Sequence, residues 1–157
     1  EYSRLKQEKF ATFYWNKILS NSNLKKVRYE KIIANFYLNN YNNAIIEIKE
    51  LLNSESEDKI ELNAILAICQ FKLGANEATN KTIIGLKNLK GDYQFGAVDY
   101  ALAQYYAIKQ NEEKVHEHLL KAVAQGCLYT PLSFQNDPIL TNYFKNEKFN
   151  EILTFWH

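Results

Sequence analysis

The sequence contains few of the residues that break or redirect a chain. Its 157 residues include five glycines and two prolines. Proteins built from many short strands need such residues at their turns, whereas helices joined by tight turns need few. The apolar residues are also interrupted every three or four positions, which is the spacing of amphipathic helices. We therefore expect an all-α fold.

The chain also lacks an excess of either charge and any long apolar run. Nineteen basic and eighteen acidic side chains leave a formal net charge of +1, which provides no strong field to attract nucleic acid or an anionic membrane. No apolar stretch has the length of a membrane-spanning helix, and the first residues show no signal-peptide pattern. The first residue is Glu1 rather than Met, which fits a fragment or a processed product, so the localisation stays open between cytoplasm and periplasm.

Residues that could form a catalytic or metal site are sparse. Cys69 and Cys127 provide neither a disulfide framework nor a metal-ligand spacing, and Cys69 is expected to be a small core residue. His116 and His118 project about 200° apart on a predicted helix, so they cannot chelate one metal, and we expect them in solvent. Phosphate-binding loops and serine elbows are missing. We interpret the chain as non-enzymatic, without cofactor or metal.

What the sequence does contain is an internal repeat. Ile32, Leu66 and Leu102 align at steps of 34 and 36 residues, and a small or apolar residue follows each of them. The aligned positions after each polar break are Ala44, Ala78 and Val115, then Leu51, Gly85 and Ala122. Each unit therefore holds two apolar stripes of helical period, and the pattern predicts three helix hairpins.

The polar breaks between the two halves of each unit are short. They are NNYNN at 39–43, LGANE at 73–77 and KQNEE at 109–113. Asn and Gly tolerate left-handed dihedrals, and Asn can cap the helix that follows. Small residues at repeated positions would let the packed helices approach one another closely. These small residues are Ala67, Gly85, Ala103 and Ala122.

The third unit resembles a known family. It reads Leu-Ala-x-x-Tyr at 102–106, then a polar turn, then Val115, Leu119 and Ala122. This is similar to the tetratricopeptide repeat, in which Leu-Gly-x-x-Tyr precedes an Ala, a large apolar residue and a second Ala. The resemblance implies a right-handed α-solenoid of antiparallel hairpins. The closing proline of the family is absent from all three units, and Gln70 stands where the second unit would have Tyr.

The tail is similar to the end segment of bacterial tetratricopeptide arrays. It contains Asn-Asp-Pro-x-Leu at 136–140 and Phe-x-x-Ile at 149–152. We expect Asp137 to cap a short helix that has Pro138 at its first position, and Asn146 to cap the next helix. Such a tail would cover the open apolar end of a helical stack. The expected boundaries within one domain, 1–157, are an N-terminal helix at 1–22, repeats at 24–55, 57–90 and 93–126, and a cap at 127–157.

The resemblance also implies where a partner binds. In this family the first helix of each hairpin lines a concave groove, and aromatic side chains in a groove suit the capture of a protein or peptide. The implied groove residues are Glu30, Ala34, Tyr37, Ile68, Phe71, Lys72, Tyr100, Gln104 and Ile108. A basic carboxylate clamp is not matched, because Glu30, Ile65 and Ala101 occupy clamp positions. We therefore expect a protein-interaction module.

Two other functions stay open. A nucleic-acid-binding helical repeat would use the basic run of Lys25, Lys26, Arg28 and Lys31, although a basic run of this kind is more often a solvated helix face. The chain would alternatively be a regulatory domain of a larger enzyme or sensor. Neither membrane insertion nor nucleic-acid binding is expected, and the oligomeric state is left open.

Overall fold

A computed structural model describes residues 8–20, 28–54, 59–91, 94–127, 137–143 and 146–154. Within these ranges the regular structure is helical and contains no strand, which confirms the prediction of an all-α fold. The helices are α1 (Glu8–Ser20), α2 (Arg28–Tyr37), α3 (Tyr41–Asn53), α4 (Lys59–Lys72), α5 (Asn76–Asn88), α6 (Ala97–Ile108), α7 (Glu112–Ala124) and, after a 3-10 turn at Glu147–Phe149, α8 (Asn150–Leu153). Predictions for Lys25, Lys26, the ends of the N-terminal helix and residues 128–136 lie outside the described residues.

Three short turns of the same construction join α2 to α3, α4 to α5 and α6 to α7. In each turn one residue has left-handed dihedrals: Asn39 at φ 61°, Gly74 at φ 74° and Gln110 at φ 57°. The amide of that residue bonds back three residues, and the next amide bonds back five, as from Asn40 to the Asn35 carbonyl at 2.8 Å. This double closure is the Schellman ending of a helix. The predicted polar breaks are therefore confirmed as turns.

The chain divides into two compact units, Glu1–Thr82 and Ile83–His157, with the boundary inside α5. In the first unit α1 packs on α2, α2 on α3 and α3 on α4. Ile32, Ile48 and Leu62 are fully buried there, and so is Cys69, as expected. Burial raises the pKa of the Cys69 thiol to about 12, so Cys69 behaves as an apolar core residue.

In the second unit α6 packs on α7, and the tail shares their core. The fully buried side chains of this core come from α6, α7 and the tail, and the three from the tail are Leu140, Phe149 and Ile152. Tyr143 donates from its hydroxyl to the Ala107 carbonyl at 3.1 Å, which fixes the tail on the last turn of α6.

The predicted caps in the tail use the expected oxygens. The Ile139 amide donates to Oδ1 of Asp137 at 2.8 Å, and the Lys148 amide donates to Oδ1 of Asn146 at 3.1 Å. Asn146 therefore caps the 3-10 turn that runs into α8, as predicted. The segment after Asp137 forms consecutive turns over 138–142 rather than a regular helix.

The small residues of the repeat do not all serve close packing. Ala67, Ala103 and Ala122 are fully buried, as expected. Gly85 is exposed, and a Cβ built on it meets nothing within 4 Å, so its predicted role in close helix approach is wrong. The close approach occurs at Gly96, where a Cβ would lie 2.3 Å from the Ala122 carbonyl oxygen and where φ is +78°. Gly96 thus lets the start of α6 contact the end of α7.

Candidate functional site

The groove residues predicted in the first unit have different surroundings. Ala34 and Ile68 are buried, at 0% and 1% exposure, so these two residues line no surface groove, contrary to expectation. Glu30 and Lys72 are exposed, and Phe71 is half-buried. Tyr37 is half-buried, and its ring stacks on Trp15 of α1 with a centroid distance of 5.5 Å and an interplanar angle of 13°.

The groove residues predicted in the second unit are held by the tail. The Tyr100 hydroxyl donates to Oδ2 of Asp137 at 2.5 Å, and the Gln104 amide donates to the same oxygen at 2.8 Å. Ile108 is half-buried. Asp137 itself is 9% exposed. The structure therefore brings Tyr100 and Gln104 together as an anchor for the tail.

A second buried carboxylate joins α6 to α7. Asp99 is 3% exposed, and it accepts from Nζ of Lys90 at 2.7 Å and from Nε2 of Gln125 at 2.8 Å. Nδ1 of His118 lies 2.9 Å from Oδ1 of Asp99. The His118 ring also stacks on Tyr106, with centroids 5.3 Å apart and planes 5° apart. All the oxygens of Asp99 are thus engaged by residues of the same unit.

The surroundings shift two pKa values in this network. Burial raises the pKa of Asp99, but the hydrogen bonds from Lys90, His118 and Gln125 outweigh it, so the pKa lies below its ordinary value of 3.8. Burial lowers the pKa of His118 below 6.5, against the opposing effect of Asp99. The pair is therefore a neutral imidazole beside a carboxylate.

The expectation that both histidines lie in solvent is wrong. His118 is 7% exposed. His116 is half-buried, its Nε2 lies against the Glu151 carboxylate of α8 without the geometry of a hydrogen bond, and its ring meets the Phe149 ring edge to face at 5.5 Å. The two rings therefore fix different neighbours on opposite sides of α7. The burial of both histidines is explained by packing within the second unit.

The first unit contains a polar cleft that the sequence did not predict. Its volume is about 310 Å³, and it lies against α1, α2 and the start of α3. The lining residues are Leu19, Lys31, Asn35, Asn40, Asn43, Ile46 and Glu47. Lys31 and Glu47 supply one positive and one negative charge, three asparagines supply amides, and Leu19 and Ile46 supply aliphatic surface.

The polar groups in this cleft are weakly satisfied. The Asn35 amide donates to Oε2 of Glu47 at 3.4 Å, and the Asn40 amide donates to Oδ1 of Asn35 at 3.3 Å. Both distances are longer than the range of roughly 2.7–3.2 Å that is usual for such bonds. Lys31 is 7% exposed. Among the described residues its ammonium makes no hydrogen bond or ion pair.

The cleft also lies at an uncapped helix end. Asn40 precedes α3, but its side chain makes no capping hydrogen bond and donates to Asn35 instead. Within the described residues, no acceptor meets the amides of Asn42 and Asn43. The matching position before α7 differs, because Oδ1 of Asn111 accepts from the Lys114 amide at 3.0 Å. The predicted Asn cap is thus confirmed at Asn111 and wrong at Asn40.

Burial raises the pKa of Glu47, while the hydrogen bond from Asn35 and the charge of Lys31 act in the opposite direction. Lys31 is therefore close enough to act on Glu47 electrostatically without forming an ion pair with it. A spacing of four residues places Lys31 and Asn35 on one face of α2, and Asn43 and Glu47 on one face of α3. That spacing is the signal in the sequence that could have indicated this site.

Several large apolar side chains are exposed. Phe13 and Tyr14 of α1 are 61% and 46% exposed, and their rings contact each other edge to face at 5.6 Å. The others are Ile46, Leu73, Ile84 and Phe95. Phe95 has φ 47°, which is rare for a bulky residue, and it directly precedes Gly96.

In the described ranges no three His, Cys, Asp or Glu side chains are grouped so as to hold a metal ion. None of the helices described is both long enough and apolar enough to cross a membrane. Comparison of the chain with protein-family models, curated proteins and solved structures found no match. The resemblance to tetratricopeptide repeats therefore stays a prediction from the sequence.

Proposed function

We propose that the chain is a non-enzymatic protein-interaction module. In this proposal its helix pairs are antiparallel hairpins stacked as a tetratricopeptide-like α-solenoid. Support for the repeat comes from the three turns, whose left-handed residues recur 35 and 36 residues apart with the same hydrogen bonds. Helical repeats of this kind expose extended surfaces to partners.

The observation that carries the proposal is the exposed aromatic pair of α1. Phe13 and Tyr14 are adjacent on a helix surface, and more than half of the Phe13 side chain is exposed. Aromatic side chains contribute a large share of binding energy where partners cover them, and monomeric proteins rarely leave them in solvent together. Tyr37 and Phe71, both half-buried, lie at a spacing of one repeat.

The basic run favours a protein partner over a nucleic acid. Arg28 lies 3.8 Å from the Glu50 carboxylate, and Lys31 is buried. A nucleic-acid binder needs cations that reach phosphates from the surface. Of the two described members of the run, Arg28 is exposed beside Glu50 and Lys31 has its side chain largely buried, so the run presents fewer surface cations than the sequence indicates.

Photo-cross-linking tests the proposal. A photoreactive phenylalanine analogue at Phe13 should cross-link to a specific protein in an extract of the cells that make the chain. The same analogue at Asn42, an exposed polar position of α3, should give little product. The double substitution Phe13→Ala and Tyr14→Ala should abolish co-purification of that protein, whereas Lys17→Ala on the same helix should not. Cross-links to RNA, or equal loss with Lys17→Ala, would contradict the proposal.

A further inference from the structure

We draw no further inference here: the strongest candidate, the buried His118 side chain between α6 and α7, belongs to the polar network already described, where Asp99 and Tyr106 hold it, and in the described ranges no group of metal-ligating side chains surrounds it.

Discussion

In both the α2–α3 pair and the α6–α7 pair, polar side chains are buried between two helices that end in the same kind of turn. Asp99 of α6 has three partners between 2.7 and 2.9 Å. Asn35 of α2 makes two contacts, at 3.3 and 3.4 Å, and Lys31 beside it makes none within the described residues. The helix that follows is capped by Asn111 in one pair and has no side-chain cap in the other.

The difference separates a tightly bonded polar network from a weakly bonded one. Buried polar groups that satisfy one another rigidify a fold and leave nothing for a ligand to add. Buried polar groups that are left partly unsatisfied reduce stability and persist where something else completes them. By this criterion the network at Asp99 holds the second unit together, whereas the long bonds of Asn35 add little to the first.

The largest expected effect comes from opening the core that the tail closes over α6 and α7. Phe149 is fully buried in that core and contacts the rings of His116 and Tyr143. Phe149→Ala should lower the free energy of unfolding by about 3–5 kcal/mol through lost burial and a cavity. Urea unfolding followed by circular dichroism measures it. Stability close to that of the native chain would show that the tail adds little to this pair.

A second experiment removes a buried polar side chain from each pair. Asp99→Ala should cost about 3 kcal/mol, because His118 and Gln125 lose their acceptor inside the protein. Asn35→Ala should cost about 1 kcal/mol or less, because its bonds are long. The same urea unfolding compares them. Similar losses in the two variants would remove the distinction between the pairs.

The two pairs should also respond to acid with opposite signs. Asp99 and His118 both have lowered pKa values, so the stability they contribute is lost as pH falls, below 6.5 for His118 and below 3.8 for Asp99. Glu47 has a raised pKa, so its contribution improves as pH falls towards 4.5. His118→Gln should flatten the loss that begins below pH 6.5, and Glu47→Gln should steepen it. Thermal unfolding between about pH 4 and pH 8 measures both effects.

The helical architecture and its turns follow from local patterns, which is why they could be predicted. Ile32, Leu66 and Leu102 repeat at helical spacing and are buried, and the breaks after them contain residues that form Schellman turns. Whether these positions form helices and turns depends on residues nearby in the sequence, so one sequence is enough to predict these elements.

The sites depend on partners that are distant in sequence. His118 is buried because Asp99, 19 residues away, accepts from it, and Tyr100 is occupied because Asp137 lies against it from 37 residues away. The helical period places Lys31 on a helix face but does not say which helix covers that face. For the same reason the repeat pattern predicts Ala34 and Ile68 on a groove, whereas both are buried.

The most direct test of the comparison exchanges one lysine in each pair for methionine, a side chain of similar length without the charge. Lys90→Met removes a hydrogen bond to a buried carboxylate, and because Lys90 is half exposed the expected cost is about 1 kcal/mol. The Lys31 ammonium makes no hydrogen bond or ion pair among the described residues and reaches solvent, so Lys31→Met removes no bond, and stability should stay the same or rise by up to about 1 kcal/mol as the buried stem becomes wholly apolar. Urea unfolding of the two variants should therefore show a loss for Lys90→Met and no loss for Lys31→Met. A larger loss for Lys31→Met would show that Lys31 is already satisfied within the protein and would contradict the account.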